Sequence, residues 1–137
     1  MTSGYVLGGS GAGLIHVGCA GWSVPGAVHE HFPAAGTHLV RYAAVLPAVE
    51  INTSFYRPHR AATYARWRDS VPASFRFSAK VPKAITHEAR LHGVDEALEK
   101  FIGEVSHLEH KLGCLLVQLP PSLQFDPQVA RRFFRKL

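Results

Sequence analysis

From residue 14 the chain repeats one hydropathy pattern four times: a short apolar run, a polar loop, then a stretch whose apolar residues recur three and four apart. The short runs predict strands over residues 14–19, 48–52, 75–80 and 114–119. Helices are expected over 37–46, with Thr37 as N-cap, and over 60–70, where Tyr64, Trp67 and Val71 form one stripe. A longer helix carries Leu98, Phe101, Ile102, Val105 and Leu112, and Gly113 stands where a left-handed C-cap residue would fall. Asp126 and Pro127 open a last helix through Phe133 and Phe134.

Strands alternating with helices predict an α/β fold of parallel βα units with right-handed crossovers. Two closures are compatible with four units: an open doubly wound sheet, or part of a (βα)8 barrel, whose usual length is about 250 residues. At 137 residues the chain is long enough for one domain with a real core. Residues 1–13 are Gly- and Ser-rich without a basic region or apolar stretch, and read as a flexible leader ahead of a domain over 14–137.

Alternation within the strands assigns their two faces. Val49, Ile51, Phe75, Phe77, Ala79, Leu115, Val117 and Leu119 are expected to face helices, while Glu50, Asn52, Arg76, Ser78, Lys80 and Gln118 face the other way. That polar face is where chemistry is expected. Glu50 is suited to act as a general base, as a metal ligand or as the ion-pair partner of Lys80 or Arg76. Asn52 and Gln118 can orient a polar ligand. Tyr56 beside Arg57 suits a carboxylate, a phosphate or a stacked base. Lys80, followed by Thr86 and His87, adds a point charge and a proton carrier, and Trp22 is either a ligand platform or a packing aromatic.

Composition narrows the classes. A hydrophobic share of 47% with 18% charged residues is that of an ordinary globular protein. No apolar run approaches a membrane span, and a cytoplasmic location follows by default. The net charge of +5 is compatible with an anionic partner, nucleic acid included. Cys19 and Cys114, with no CxxC spacing, are expected to be reduced, buried small residues. The glycines between Gly8 and Gly13 do not follow a strand and do not form GxGxxG, so no dinucleotide site is expected there. His29 with His31, and His107 with His110, lack metal-site spacing, and Arg131, Arg132, Arg135 and Lys136 read as the polar face of the last helix.

Taken together, Gly18-Cys19-Ala20-Gly21-Trp22, the run from Glu50 to Arg57, Lys80 with Thr86-His87, and Gln118-Leu119-Pro120-Pro121 resemble the YecE-like proteins, domain of unknown function family 72. The resemblance implies a TIM-type barrel with no assigned reaction, of which this chain would hold the four N-terminal βα units. Ala20 departs from the hydroxyl residue the family usually has there, and Thr53-Ser54 reverses its more frequent Ser-Thr order.

The functional expectation is a rim at the C-terminal strand ends that binds an anionic or polyhydroxylated ligand, with nucleic acid among the candidates. Glu50 and His87 are the candidate catalytic residues, and Trp22, Asn52, Tyr56, Arg57, Lys80, Thr86 and Gln118 the candidate ligand contacts. No metal ligand is assigned and the cofactor is left open. The alternatives are a metal-assisted hydrolase or isomerase at the same rim, and a half barrel without its own activity that dimerises or lacks its C-terminal half.

Overall fold

The structure, a computed structural model, describes residues 15–137. The leader expected over 1–13 and the first residue of the predicted first strand lie outside the described residues. Four strands form one sheet: β1 (Gly18–Ala20), β2 (Ala48–Ile51), β3 (Arg76–Lys80) and β4 (Leu112–Leu116). All three pairings are parallel and the spatial order is β1-β2-β3-β4. This is the α/β architecture the alternating pattern predicts. A sheet whose spatial order follows chain order has no strand-order reversal, which a doubly wound sheet has at its switch point.

The helices are α1 (His38–Ala43), α2 (Ala61–Asp69), α3 (Asp95–Val105) and α4 (Pro127–Phe134). The starts of α1 and α4 follow the capping chemistry: the Thr37 hydroxyl accepts from Val40 N–H at 3.3 Å, and the Asp126 carboxylate accepts from Gln128 and Val129 N–H at 2.8 and 3.2 Å. Right-handed crossovers in a sheet of this order bring the helices to one face. On that face Val49, Ile51, Phe77 and Ala79 are buried, with Leu98, Phe101 and Val105 of α3 and Tyr64 of α2 in the same core. Burying a side chain the size of Ile51 or Phe77 contributes about 1.5–3 kcal/mol over leaving it in water.

Tyr42 ties the first two strands together. Its hydroxyl donates to the Ala48 carbonyl at 2.8 Å and accepts from Cys19 N–H at 2.8 Å. Burial, the largest influence, pushes its pKa up to about 12. Beside it, a Cβ at Gly18 would overlap the Ala48 carbonyl, so the close approach of β1 to β2 requires glycine there.

Several expectations are corrected. The third helix ends at Val105, not near Leu112, and a 3-10 turn over Ser106–Lys111 follows it. Gly113 is not its C-cap. It lies inside β4 as the extra residue between the pairs Phe77↔Leu112 and Ser78↔Cys114, a bulge. The reversal after α3 is instead made at Glu109, with φ 51°, whose carboxylate pairs with Arg68. Because the bulge starts β4 two residues early, the strand ends at Leu116, and Leu119 is 41% exposed beyond it instead of facing a helix. Cys19 and Cys114 are free thiols, as expected, but exposed; among the described residues no layer packs on the sheet face that carries Cys114.

Among the described residues, no helix is long and apolar enough to cross a membrane.

Candidate functional site

The helix-free face of the sheet is a shallow concavity of about 390 Å³, lined among others by His16, Ala48, Glu50, Arg76, Ser78 and Cys114. Period-2 alternation puts Glu50 there, because its neighbours Val49 and Ile51 are claimed by the core. Register sets Glu50 beside Ser78 of β3 and Ala20 of β1. Neither neighbour is a cation. The ion pair weighed for Glu50 is not formed among the described residues, because both candidate partners are held elsewhere. Arg76 donates to the Ala73 and Phe75 carbonyls, each at 3.0 Å, and Lys80 turns toward the strand ends.

At those ends a second group of side chains converges. After Ile51 the chain winds into a 3-10 turn over Asn52–Phe55, which carries Asn52 and Phe55 toward β3. The Lys80 ammonium donates to Asn52 Oδ1 at 3.3 Å and lies 4.5 Å from the centroid of the Phe55 ring. Phe55 also meets the His87 ring edge-on at 5.0 Å. His87 and Thr86 sit on a π-helical turn over Ala84–Glu88, closed by Ala89 N–H donating to the Ala84 carbonyl at 2.9 Å. Thr86 is wholly buried, and its Oγ1 is 2.9 Å from His87 Nδ1, which fixes the ring. Asn52, Lys80, Thr86 and His87 are therefore brought together around Phe55.

The remaining sequence-predicted residues lie apart from that group. Tyr56 and Arg57 continue the turn outward and line a separate groove between α2 and α3. Trp22 packs edge-on against Trp67 of α2 at 4.9 Å, in an aromatic cluster with His59 and Tyr64. Gln118 lies beyond β4, exposed, with no side-chain hydrogen bond among the described residues. His59, whose Nε2 is 2.8 Å from Thr53 Oγ1, has its pKa lowered by burial and, secondarily, by Arg57.

Two contributors escape sequence reasoning. Phe55 carries Lys80 on one side and His87 on another, which only its contacts show. Ser54 is buried and donates to the carbonyls of Ile51 and Lys80, at 2.8 and 2.6 Å, so one hydroxyl joins the ends of β2 and β3. Among the described residues no three His, Cys, Asp or Glu side chains are grouped as a metal site. Chemically, the strand-end group offers a cation, an amide and an imidazole.

The family described as "Protein of unknown function DUF72" matches residues 16–137. The chain belongs to the DUF72 family. Its curated relatives include the UPF0759 protein YecE of Escherichia coli K12, 33% identical over 115 residues, and the UPF0759 protein YunF of Bacillus subtilis, 26% identical over 114 residues. The matched parts cover 84% and 79% of this chain but 40% of each relative, so the chain spans less than half their length. Solved DUF72 structures match in shape as well. One from Enterococcus faecalis, 26% identical, superposes with a TM-score of 0.70 over 90% of this chain and 46% of that one. Another from Thermotoga maritima, also 26% identical, gives 0.66 over 88% and 50%. The DUF72 description assigns no reaction or ligand.

Proposed function

We propose that the four βα units are the N-terminal half of a TIM-type barrel, and that its strand-end rim binds an anionic or polyhydroxylated ligand through Lys80. Support for the half barrel comes from the sequential parallel order, the bare sheet face and the share of about 40% that the chain has of its relatives. Ligands of open parallel sheets and barrels sit at the C-terminal strand ends, which is where Lys80, Asn52 and the Thr86-His87 turn lie.

The observation that carries the ligand reading is the placement of the Lys80 ammonium. It has one side-chain hydrogen bond, to a neutral amide, and no carboxylate partner among the described residues. A lysine so placed keeps donors for an incoming anion or hydroxyl. Asn52 holds it in position and Phe55 supplies a face that limits its wandering. Glu50, two residues before Asn52, lies on the adjoining sheet face and has no ion-pair partner among the described residues.

Isotope-edited NMR titration of the chain with inorganic phosphate and with a short oligonucleotide tests this reading. Shifts confined to residues around Lys80, and lost in Lys80→Met, are expected. Wild-type shifts in Lys80→Met would remove Lys80 from the site, and shifts only from the oligonucleotide would identify nucleic acid as the partner.

A further inference from the structure

Beside the strand-end group, with which it shares Phe55, a groove of about 410 Å³ runs between α2 and α3 under the Tyr56-Arg57 turn and the Pro82-Lys83 corner. The turns after β2 and β3 complete its walls, through Phe55 and through Ala84 and Glu88. Its lining includes the apolar Phe55, Pro58 and Phe101 together with the buried Tyr64. Its polar groups are divided. Lys83 is matched with Glu88 at 3.4 Å, whereas Arg57 and Lys100 have no ion-pair partner among the described residues.

The inner end holds the second observation. Tyr64 is wholly buried, and its hydroxyl is the buried side-chain polar atom without a hydrogen-bond partner among the described residues. Native folds rarely bury a polar atom unsatisfied, and such an atom in a groove wall calls for an occupant. Burial first, and the nearby Glu104 carboxylate second, raise the Tyr64 pKa, so the hydroxyl stays protonated and lies within the influence of Glu104. Glu104 lines the same groove. A group that donates to Glu104 and completes the Tyr64 hydroxyl is what that end lacks: a hydroxyl or an amine.

We propose that this groove binds a ring-bearing organic acid, its carboxylate held by Arg57 and Lys100 at the mouth, its ring on Phe55 and Phe101, and a hydroxyl or amine at its far end reaching Tyr64 and Glu104. The proposal shares Phe55 with the Lys80 site but does not use the Lys80 ammonium. Arg57 supplies the fork that suits a carboxylate, and Lys100 adds a flexible charge from the exposed side of α3.

The test is titration of the chain with 4-hydroxyphenylacetate, followed by NMR, against phenylacetate, which lacks the far hydroxyl. A molecule this small is expected to saturate at concentrations below about 10 mM. Phenylacetate should bind about tenfold more weakly. Ala97→Trp fills the groove from an exposed helix position and should abolish binding, and Lys100→Glu should weaken it at least about tenfold. Tyr64→Phe removes an unpartnered atom, so it should weaken binding of the hydroxylated acid while leaving the melting temperature unchanged or higher. No saturable binding of 4-hydroxyphenylacetate, or wild-type affinity in folded Ala97→Trp or in Lys100→Glu, would overturn the assignment.

Discussion

The hydroxyl of Ser54 donates to the main-chain carbonyl of Lys80 at 2.6 Å, across 26 residues of sequence. The same oxygen lies 2.8 Å from the Ile51 carbonyl, so a single buried proton is shared between the ends of β2 and β3. The position of the Lys80 ammonium is thus set from two directions, by Ser54 through the backbone and by Asn52 through the side chain.

Ser54→Ala is expected to lose about 1–3 kcal/mol of stability, because two buried carbonyls lose a donor that water cannot replace. Urea unfolding measures it. The same variant should broaden the NMR signals of Lys80. A change below about 0.5 kcal/mol would mean that the carbonyls find other donors.

Lys111 is a second buried joint. Its ammonium donates to the Arg68 and Val71 carbonyls, both at 2.6 Å, at the C-terminal end of α2, where a helix favours a cation. Lys111→Met keeps the aliphatic length and leaves those carbonyls bare, and is expected to cost about 2–4 kcal/mol. Equilibrium denaturation compares it with Lys100→Met, at an exposed position, which should change stability by less than about 0.5 kcal/mol.

Gly18→Ala should strip β1 from the sheet. The added Cβ meets the Ala48 carbonyl, which Tyr42 also uses, so neither backbone can yield without breaking that bond. Amide hydrogen exchange is expected to lose protection at Cys19 and Gly21, while the β2–β3 ladder keeps it.

Stability should fall at both ends of the pH scale, for opposite reasons. His59 has a native pKa below its ordinary 6.5, so below that value the unfolded chain binds a proton the native one refuses, and stability is lost as pH falls. Tyr42, raised to about 12, keeps its proton between pH 10 and 12 while the unfolded chain releases it, so stability is lost as pH rises there. Tyr64, raised from 10.0, acts in the same direction. Denaturation midpoints across pH check both limbs, and His59→Gln should flatten the acid one.

The fold was legible where one period dominates. Val49, Glu50 and Ile51 alternate cleanly, and Asp126-Pro127 starts α4 by local chemistry alone. Gly113 misled because a glycine after an amphipathic stretch has two uses, a left-handed cap and a bulge, and the choice rests on the partner strand β3. The grouping of candidate residues was legible in part. Lys80, Asn52 and His87 come together, but Trp22 is claimed by Trp67, and Tyr56-Arg57 turns outward because the 3-10 turn after β2 rotates successive residues in steps a strand pattern does not contain. Ser54 and Lys111 act through distant carbonyls, which no local pattern encodes.

The bulge in β4 also decides what the bare face can report. By inserting Gly113 it turns Cys114 onto that face beside Ser78, with its thiol free and in contact with solvent. Its paired neighbour Ser78 is short and Gly113 before it has no side chain, which leaves the exposed Cys114 sulfur open to a reagent and to any covering layer alike. The sheet therefore carries its own chemical gauge, and the alkylation rate of Cys114 reads directly whether the face is bare or covered.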